Sequence, residues 1–360
     1  MKRAPRKPGS LLRSPTLRDV ANLSKVSQKT VSRVVNGESN VHVRTRAKVQ
    51  QAIAELGYRP DLMARSLRSN GRFYGVGLVY DNPNEHYVIG MQEGVLSVCE
   101  TQGYGLQIIP CRANAEDLTK RLLVAMERSR LGGLILTPPM SEQPSLIQSL
   151  KYHHVACVRI ISASRAPRDG LPCVYVNDRN AAYAITAHLI QLGHARIAFL
   201  GGDRTHGSNL ERYAGYAQAL SDYGVPLDKE RVIHSHFTFD DGFRGARKLL
   251  AGAAAPTAIF GCNDEIAAGV LAAARSMGLS VPRDLSIAGF EDSPFARQAW
   301  PPLTTAQQSP HAIAAAAALR LIHQLDGSPR DPNGLDESPC QEFIPELVIR
   351  ASTAPPSGVA

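Results

Sequence analysis

Apolar residues recur at helical spacing over residues 16–60 and then in short strand-like runs through most of the chain. In "SQKTVSRVVNG", Val31, Val34 and Val35 fall at i, i+3 and i+4, which predicts one short helix closed by Asn36-Gly37. Its other face carries Gln28, Lys29, Ser32 and Arg33. Just before it, "TLRDVANLSK" predicts a helix with Leu17, Val20 and Ala21 inward. Thr16 is its N-cap, and Asp19 stands where a capping box returns the bond. Just after it, Val49, Ala52, Ile53 and Leu56 repeat at i, i+3, i+4 and i+7, a third helix stopped by Gly57 and Pro60.

Three short helices with a tight turn between the first two predict a helix-turn-helix unit. Such a unit offers the start of its second helix to the major groove. Amides and cationic groups suit the purine edges found there, so the polar face of 27–35 acquires DNA as a candidate target. The next segment, "DLMARSLRS", sets Leu67 between Arg65 and Arg68. An apolar wedge with cationic neighbours suits minor-groove insertion, and it equally suits a plain linker helix.

From residue 72 onward the pattern changes. Nine strand-like runs, from "YGVGLVY" to "LSIAGFE", alternate with amphipathic helical stretches such as "DLTKRLLVAMERSR" and "EIAAGVLAAARSMG". This alternation predicts parallel, doubly wound sheets, and the number of runs with the Pro/Arg/Ser-rich "SASRAPRDGLP" near the middle predicts two α/β lobes. Ligands of open α/β sheets lie beyond the carboxyl ends of strands, which points to the cleft between lobes. Candidates at those ends are Asp81, Asn82, Arg159, Asn263, Asp264, Glu291 and Asp292, with Arg212 early in a helix and Phe237 and Trp300 for stacking. Acids, amides, arginines and aromatic faces together suit a neutral polyhydroxylated ligand such as a sugar.

Charge sharpens the division. Residues 1–72 hold 16 Lys+Arg against 4 Asp+Glu, a net of +12, whereas the whole chain is only +8. A basic head on a mildly acidic body predicts that the head alone meets a polyanion. The N-terminal "MKRAPRKPGSLLRSP" lacks the apolar core of a signal peptide, and no apolar run is long enough for a membrane span, so a cytoplasmic, nucleoid-associated location is expected. Six scattered cysteines without a CxxC pair predict free thiols and no zinc site. The histidines lack ligand spacing with acidic partners, so no metal is expected; no cofactor is expected either. "YGVGLVYD" lacks the third glycine of a dinucleotide fingerprint, and no serine or cysteine sits in a nucleophile elbow. An enzyme is therefore disfavoured, and a stand-alone solute-binding protein would not carry residues 16–69.

"TLRDVANLSKVSQKTVSRVVNG", "VRTRAKVQQAIAELGYRP" and "ARSLR", in that order, resemble the headpiece and hinge of the lac repressor (LacI/GalR) family. "ERYAGYAQAL", "PTAIFGCNDEIAAGVLAAARSMGLSVPRDLSIAGFED" and "PELVIRAST" extend the resemblance to that family's regulatory domain, which has a periplasmic-binding-protein-like fold. The resemblance implies a repressor that binds double-stranded operator DNA as a homodimer, with a tetramer as the alternative, under a small-molecule effector. A carbohydrate is the expected effector and a purine the alternative. The implied DNA-binding set is Thr16, Ser27, Gln28, Lys29, Thr30, Ser32, Arg33, Arg44, Arg65, Leu67 and Arg68. The implied effector set is Asp81, His86, Tyr87, Arg159, Arg212, Phe237, Asn263, Asp264, Asp292 and Trp300. Two headpiece positions depart from the pattern: His42 replaces a usual serine cap, and Asp61 a usual asparagine. In the body, Arg159 stands in place of a common aspartate.

The expected organisation is a basic arm over 1–15, a helix-turn-helix headpiece over 16–59 and a hinge over 60–71. An effector-binding and dimerisation domain over 72–350 follows, with a tail over 351–360. Its lobes are expected at about 72–163 with 307–340, and about 164–303 with 341–350, crossing near 161–165, 303–307 and 340–345.

Overall fold

The computed structural model describes residues 15–35, 40–58, 75–82, 84–327 and 339–357. Residues 1–14 of the basic arm, the hinge with Arg65, Leu67 and Arg68, and residues 328–338 lie outside the described residues. The chain divides into two compact units, Met1–Phe73 and Tyr74–Ala360.

In the first unit, α1 (Leu17–Ser24), α2 (Gln28–Val35) and α3 (Val43–Leu56) enclose a small core of Val20, Ala21, Val31, Val34, Val49, Ala52 and Tyr58. The predicted capping box is present: Thr16 Oγ1 accepts from the Asp19 amide, and the Thr16 amide donates to Asp19 Oδ2 at 2.7 Å. Lys25 adopts the left-handed conformation (φ 54°) that turns the chain between α1 and α2. Ser27 then opens α2 by accepting from the Thr30 amide. His42 replaces a serine without losing the cap, since its Nδ1 accepts from the Arg44 amide at 3.3 Å.

The second unit is two-lobed. Its first lobe is a six-stranded parallel sheet in the order β11-β5-β4-β3-β1-β2. These strands are β1 (Gly75–Tyr80), β2 (Gly105–Pro110), β3 (Leu131–Leu136), β4 (Ala156–Ser162), β5 (Cys173–Val176) and β11 (Cys340–Phe343). One face is covered by α4 (Glu85–Gln102) and α12 (Pro310–Asp326), the other by α5 (Leu118–Ser129) and α6 (Pro144–Tyr152). The strands read as continuous apolar runs because helices bury both faces. The Ala-rich helix 310–326 is thus lobe packing. Among the described residues no helix is long and apolar enough to cross a membrane.

The second lobe is a four-stranded parallel sheet, β7-β6-β8-β9, built from β6 (Ile197–Gly201), β7 (Val232–His234), β8 (Ala258–Gly261) and β9 (Ser286–Ala288). Around it lie α7 (Asp178–Gln191), α8 (Gly207–Asp222), α9 (Phe239–Leu250), α10 (Asp264–Ser276) and α11 (Pro294–Gln298). A two-stranded antiparallel ribbon, β10 (Thr305–Gln307) with β12 (Glu346–Val348), joins the lobe by the bridge Ala288–Thr304.

All nine predicted strands form, and the structure corrects one expected crossing. Strand β5 pairs with β4, Arg159 lying opposite Cys173, so residues 163–172 loop between neighbours in one sheet. The chain leaves the first lobe only after Val176, later than the expected 161–165. A turn-rich composition marks a loop but not which sheet the next strand joins. Free thiols were expected throughout. Instead, Cys173 and Cys340 face each other in register on β5 and β11, Cα–Cα 4.4 Å apart, and are disulfide-bonded. The free cysteines of the described residues, Cys99, Cys111, Cys157 and Cys262, are buried.

Helices α4 and α12 meet at Gly94, where an added Cβ would lie 2.2 Å from the His311 carbonyl oxygen. Gly94→Ala is expected to push them apart and destabilise the body by about 1–3 kcal/mol, read as a lower urea midpoint at an unchanged m-value.

Candidate functional site

Two surfaces carry the candidate chemistry. On the headpiece, α2 buries Val31 and Val34 and leaves Gln28, Lys29 and Arg33 exposed, with Ser27 at its start and Thr30 and Ser32 half-buried. Arg44 is exposed at the start of α3, and Thr16 is half-buried, engaged in its cap. A short helix held by its apolar side and open at its N-terminal polar side can reach base edges.

In the body, a cavity opens between the lobes at the carboxyl ends of the strands. The first lobe supplies Asn82, Asn84 and Tyr87 after β1, Pro138 after β3, and Ile160, Ile161 and Ser162 at the end of β4. Asp178 follows β5, His206 and Ser208 follow β6, and Phe237 follows β7. Asn263 follows β8, Glu291 follows β9, and Gln308 lies on a crossing.

Arg212, on α8 and only 3% exposed, is the centre of this wall. Its Nε and Nη2 each donate to Asp178 Oδ1 at 3.3 Å, and its Nη1 donates to the Cys262 carbonyl at 2.8 Å. Glu291 Oε1 stands 3.7 Å from the same Nη1, and the guanidinium lies 3.8 Å above the Phe290 ring. Ser162 Oγ donates to the second oxygen of Asp178. Asn263 caps α10 through the Ile266 amide and donates to the Phe237 carbonyl at 3.2 Å, which fixes the aromatic wall.

Glu291 reaches the cavity from a strained backbone, φ 108°, followed by Asp292 at φ 54°. Side chains rarely adopt such angles, and residues held there cluster at functional sites. The backbone is pinned on both sides: the Glu291 amide donates to the Ala306 carbonyl, and the Glu291 carbonyl accepts from the Gln308 amide. Burial pushes the Glu291 carboxyl up to about 7 against the pull of Arg212, with the nearby Asp264 and Asp178 charges adding to the rise. Burial also drives the Tyr87 phenol far above its ordinary range.

Of the sequence-derived cleft candidates, Asn82, Tyr87, Arg212, Phe237, Asn263 and Glu291 come together on the cavity wall. The others do not line it. Asp81 accepts from the Ala113 amide and holds the loop after β2. His86 is exposed and meets Phe295 of the second lobe edge-on at 6.0 Å. Arg159 is buried and pairs with Asp169 of the 163–172 loop at 2.6 Å. Asp264 is buried behind the wall; its oxygens accept from Thr305 Oγ1 and the Ser293 amide, both at 2.7 Å. Burial raises its carboxyl to about 6. Asp292 binds Arg350 at 2.6 Å and Arg297 at 3.4 Å. Trp300 is 76% exposed, its carbonyl bonded to Arg275.

Sequence reasoning missed Asn84, Ser162, Asp178, His206, Ser208 and Gln308. Asp178 had a signal, since "CVYVND" is a strand ending in an acid; the others are ordinary loop polar residues. No group of His, Cys, Asp and Glu among the described residues is arranged to hold a metal ion.

Residues 16–61 match the family described as bacterial regulatory proteins, lacI family, and residues 186–353 match a periplasmic binding protein-like domain. The HTH-type transcriptional repressor PurR of Pasteurella multocida (strain Pm70) is 30% identical over 337 residues, covering 94% of this chain and 98% of the relative. The chain belongs to the lacI family. This lacI-family chain is a DNA-binding transcriptional regulator with a periplasmic-binding-like body. Among solved structures it is similar to the transcriptional regulator CelR–cellobiose complex, with TM-score 0.69 and 29% identity over 94% of this chain and 99% of that one. It is also similar to the lac repressor dimer bound to operator and the anti-inducer ONPF, with TM-score 0.72 and 26% identity over 95% and 100% of the two chains.

Because the folded Glu291 carboxyl titrates near 7 and the unfolded one near 4.5, its stabilising contribution is complete below about 4.5 and is lost as pH rises to 7. Asp264 acts in the same sense up to about 6. Between pH 6 and 7 the melting temperature of the wild type is therefore expected to drop relative to that of Glu291→Gln, whose curve lacks this component; parallel curves would contradict the assignment.

Proposed function

We propose that this regulator is a repressor that binds a palindromic operator as a homodimer in the cytoplasm, and that a neutral carbohydrate in the inter-lobe cavity sets its affinity for DNA. One observation carries the ligand class: the buried Arg212 already donates to Asp178 and has the Glu291 carboxyl 3.7 Å away, so its charge is matched inside the protein and not left for an anionic ligand. What remains for a ligand is a ring of amides and hydroxyls, Asn82, Asn84, Ser162, Ser208 and Gln308, beside the Phe237 ring. Paired donors and acceptors with one apolar face are the complement of a sugar. The cellobiose complex of the similar CelR favours this class over the purine that the name PurR suggests.

On the DNA side, Gln28, Lys29 and Arg33 are the base-reading candidates, with Ser27, Thr30, Ser32, Arg44 and Thr16 near the backbone. Leu67, between Arg65 and Arg68, is the candidate minor-groove wedge. Ligand and operator would be linked by one coupling energy, typically about 1–3 kcal/mol, acting in both directions.

A thermal-shift screen of sugars and nucleosides is expected to give a neutral sugar as the stabilising hit, and Arg212→Ala or Asp178→Asn to remove that shift. A purine hit without any sugar hit would replace the carbohydrate reading. For DNA, selection from random duplexes is expected to yield a palindrome. Gln28→Ala is expected to relax the preference at one base position in each half-site, a loss of about 1–3 kcal/mol there. Leu67→Ala is expected to lose specific affinity and bending together, measured by circular-permutation gel shift.

A further inference from the structure

The two lobes touch through several side chains, and one pair stands apart from the rest. Asn84 Nδ2 donates to Glu291 Oε2 at 2.9 Å, and Ser162 bonds Asp178; all four residues line the cavity. A ligand competes for those groups, so these bridges are available for exchange when the cavity fills. Glu142 is different. It lies at the end of the Met140–Glu142 turn after β3, and it is not part of the cavity wall.

The Glu142 carboxylate spans the lobes. Oε1 accepts from the Ser162 amide at 3.2 Å within the first lobe, and Oε2 accepts from the Gly207 amide at 3.0 Å in the second. Gly207 is the first residue of α8, whose own N-cap, His206, makes no side-chain capping bond. The carboxylate therefore caps, from the opposite lobe, a 16-residue helix whose N-terminal end favours negative charge. The glycine is a second, independent sign of the same contact. A Cβ on Gly207 would lie 2.5 Å from Glu142 Oε1 and 2.7 Å from its Cδ, so a side chain there would force the carboxylate out of its present place. The same helix carries Ser208 and Arg212 into the cavity.

We infer that Glu142 is an inter-lobe latch: it docks the start of α8 on the first lobe and holds the cleft closed without help from the ligand. A ligand then enters by breaking the Glu142–Gly207 contact and re-forming it. Because the latch lies outside the wall, it does not depend on which ligand the cavity takes.

The test uses the unliganded full-length protein, with hydrogen–deuterium exchange of the segment 205–212 and the radius of gyration from small-angle scattering. Glu142→Ala is expected to speed exchange in that segment by roughly tenfold or more, as for loss of a charge-assisted hydrogen bond, and to enlarge the particle. Gly207→Ala is expected to do the same by steric exclusion. In the double variant the added methyl has room, so Gly207→Ala should add nothing to Glu142→Ala. Wild-type exchange and size in Glu142→Ala, or fully additive effects in the double variant, overturn the latch. A lowered melting temperature with neither local exchange nor size altered also overturns it, since that marks a merely structural contact. If Glu142→Ala does not fold, Glu142→Gln serves. It keeps the shape but turns a donor toward one of the two amides, and unchanged exchange around both Ser162 and Gly207 overturns the proposal.

Discussion

A guanidinium taken out of water must be neutralised and hydrogen-bonded where it lies, and the body of this regulator is arranged around that demand at Arg212. Its charge draws Asp178 from the start of α7, Glu291 from the end of β9 and the Cys262 carbonyl from the end of β8. Three elements of the second lobe are thereby fixed at one point. Ser162 and Asn84 then attach the first lobe to those acids. Removing one member of such a buried set typically costs about 3–5 kcal/mol, because the partner is left charged and unpaired.

The placement follows from sheet geometry. In both parallel sheets the strands end at the cleft, so loops and helix starts from each lobe face one another there. Helix starts present free amides, and the acids and amides nearby serve partly as caps: Asn84 for α4, Asn263 for α10, and Glu142 across the cleft for α8. Capping and ligand recognition therefore draw on the same residue types. This is why a polar residue at a strand end does not declare its role. Asp264 is the clear instance. It occupies the right position beyond β8, yet one oxygen holds the crossing segment at Thr305 and the other the start of α11 at the Ser293 amide.

The headpiece was legible because its information is local. Val31, Val34 and Val35, the Thr16–Asp19 box and the Gly57 stop each act within a few residues, and each specifies its helix without distant partners. Nine strands were legible for a similar reason, as apolar runs between helical repeats, even where only three residues pair, as in Val232–His234 and Ser286–Ala288. The strands 305–307, 340–343 and 346–348 were not, since "TAQ", "CQEF" and "ELV" mix polar with apolar residues and pair only because a neighbour is present. The late crossing after Val176 escaped for the same reason.

The amino-acid sequence by itself determined the division into a basic helix-turn-helix head and a two-lobed α/β body, and it placed Asn82, Arg212, Phe237, Asn263 and Glu291 among the candidates, with Tyr87 added by the family resemblance. Periodicity, capping and charge are properties of neighbouring residues, so they survive without coordinates. Only the tertiary structure decided that Asp178 and Glu291 neutralise Arg212, that Arg159 turns to Asp169, and that Cys173 meets Cys340. Those pairings join residues far apart in the chain or in loops of undefined course. Which of several equivalent polar groups comes within bonding distance is set by how sheets and helices pack, not by the residues that flank each one.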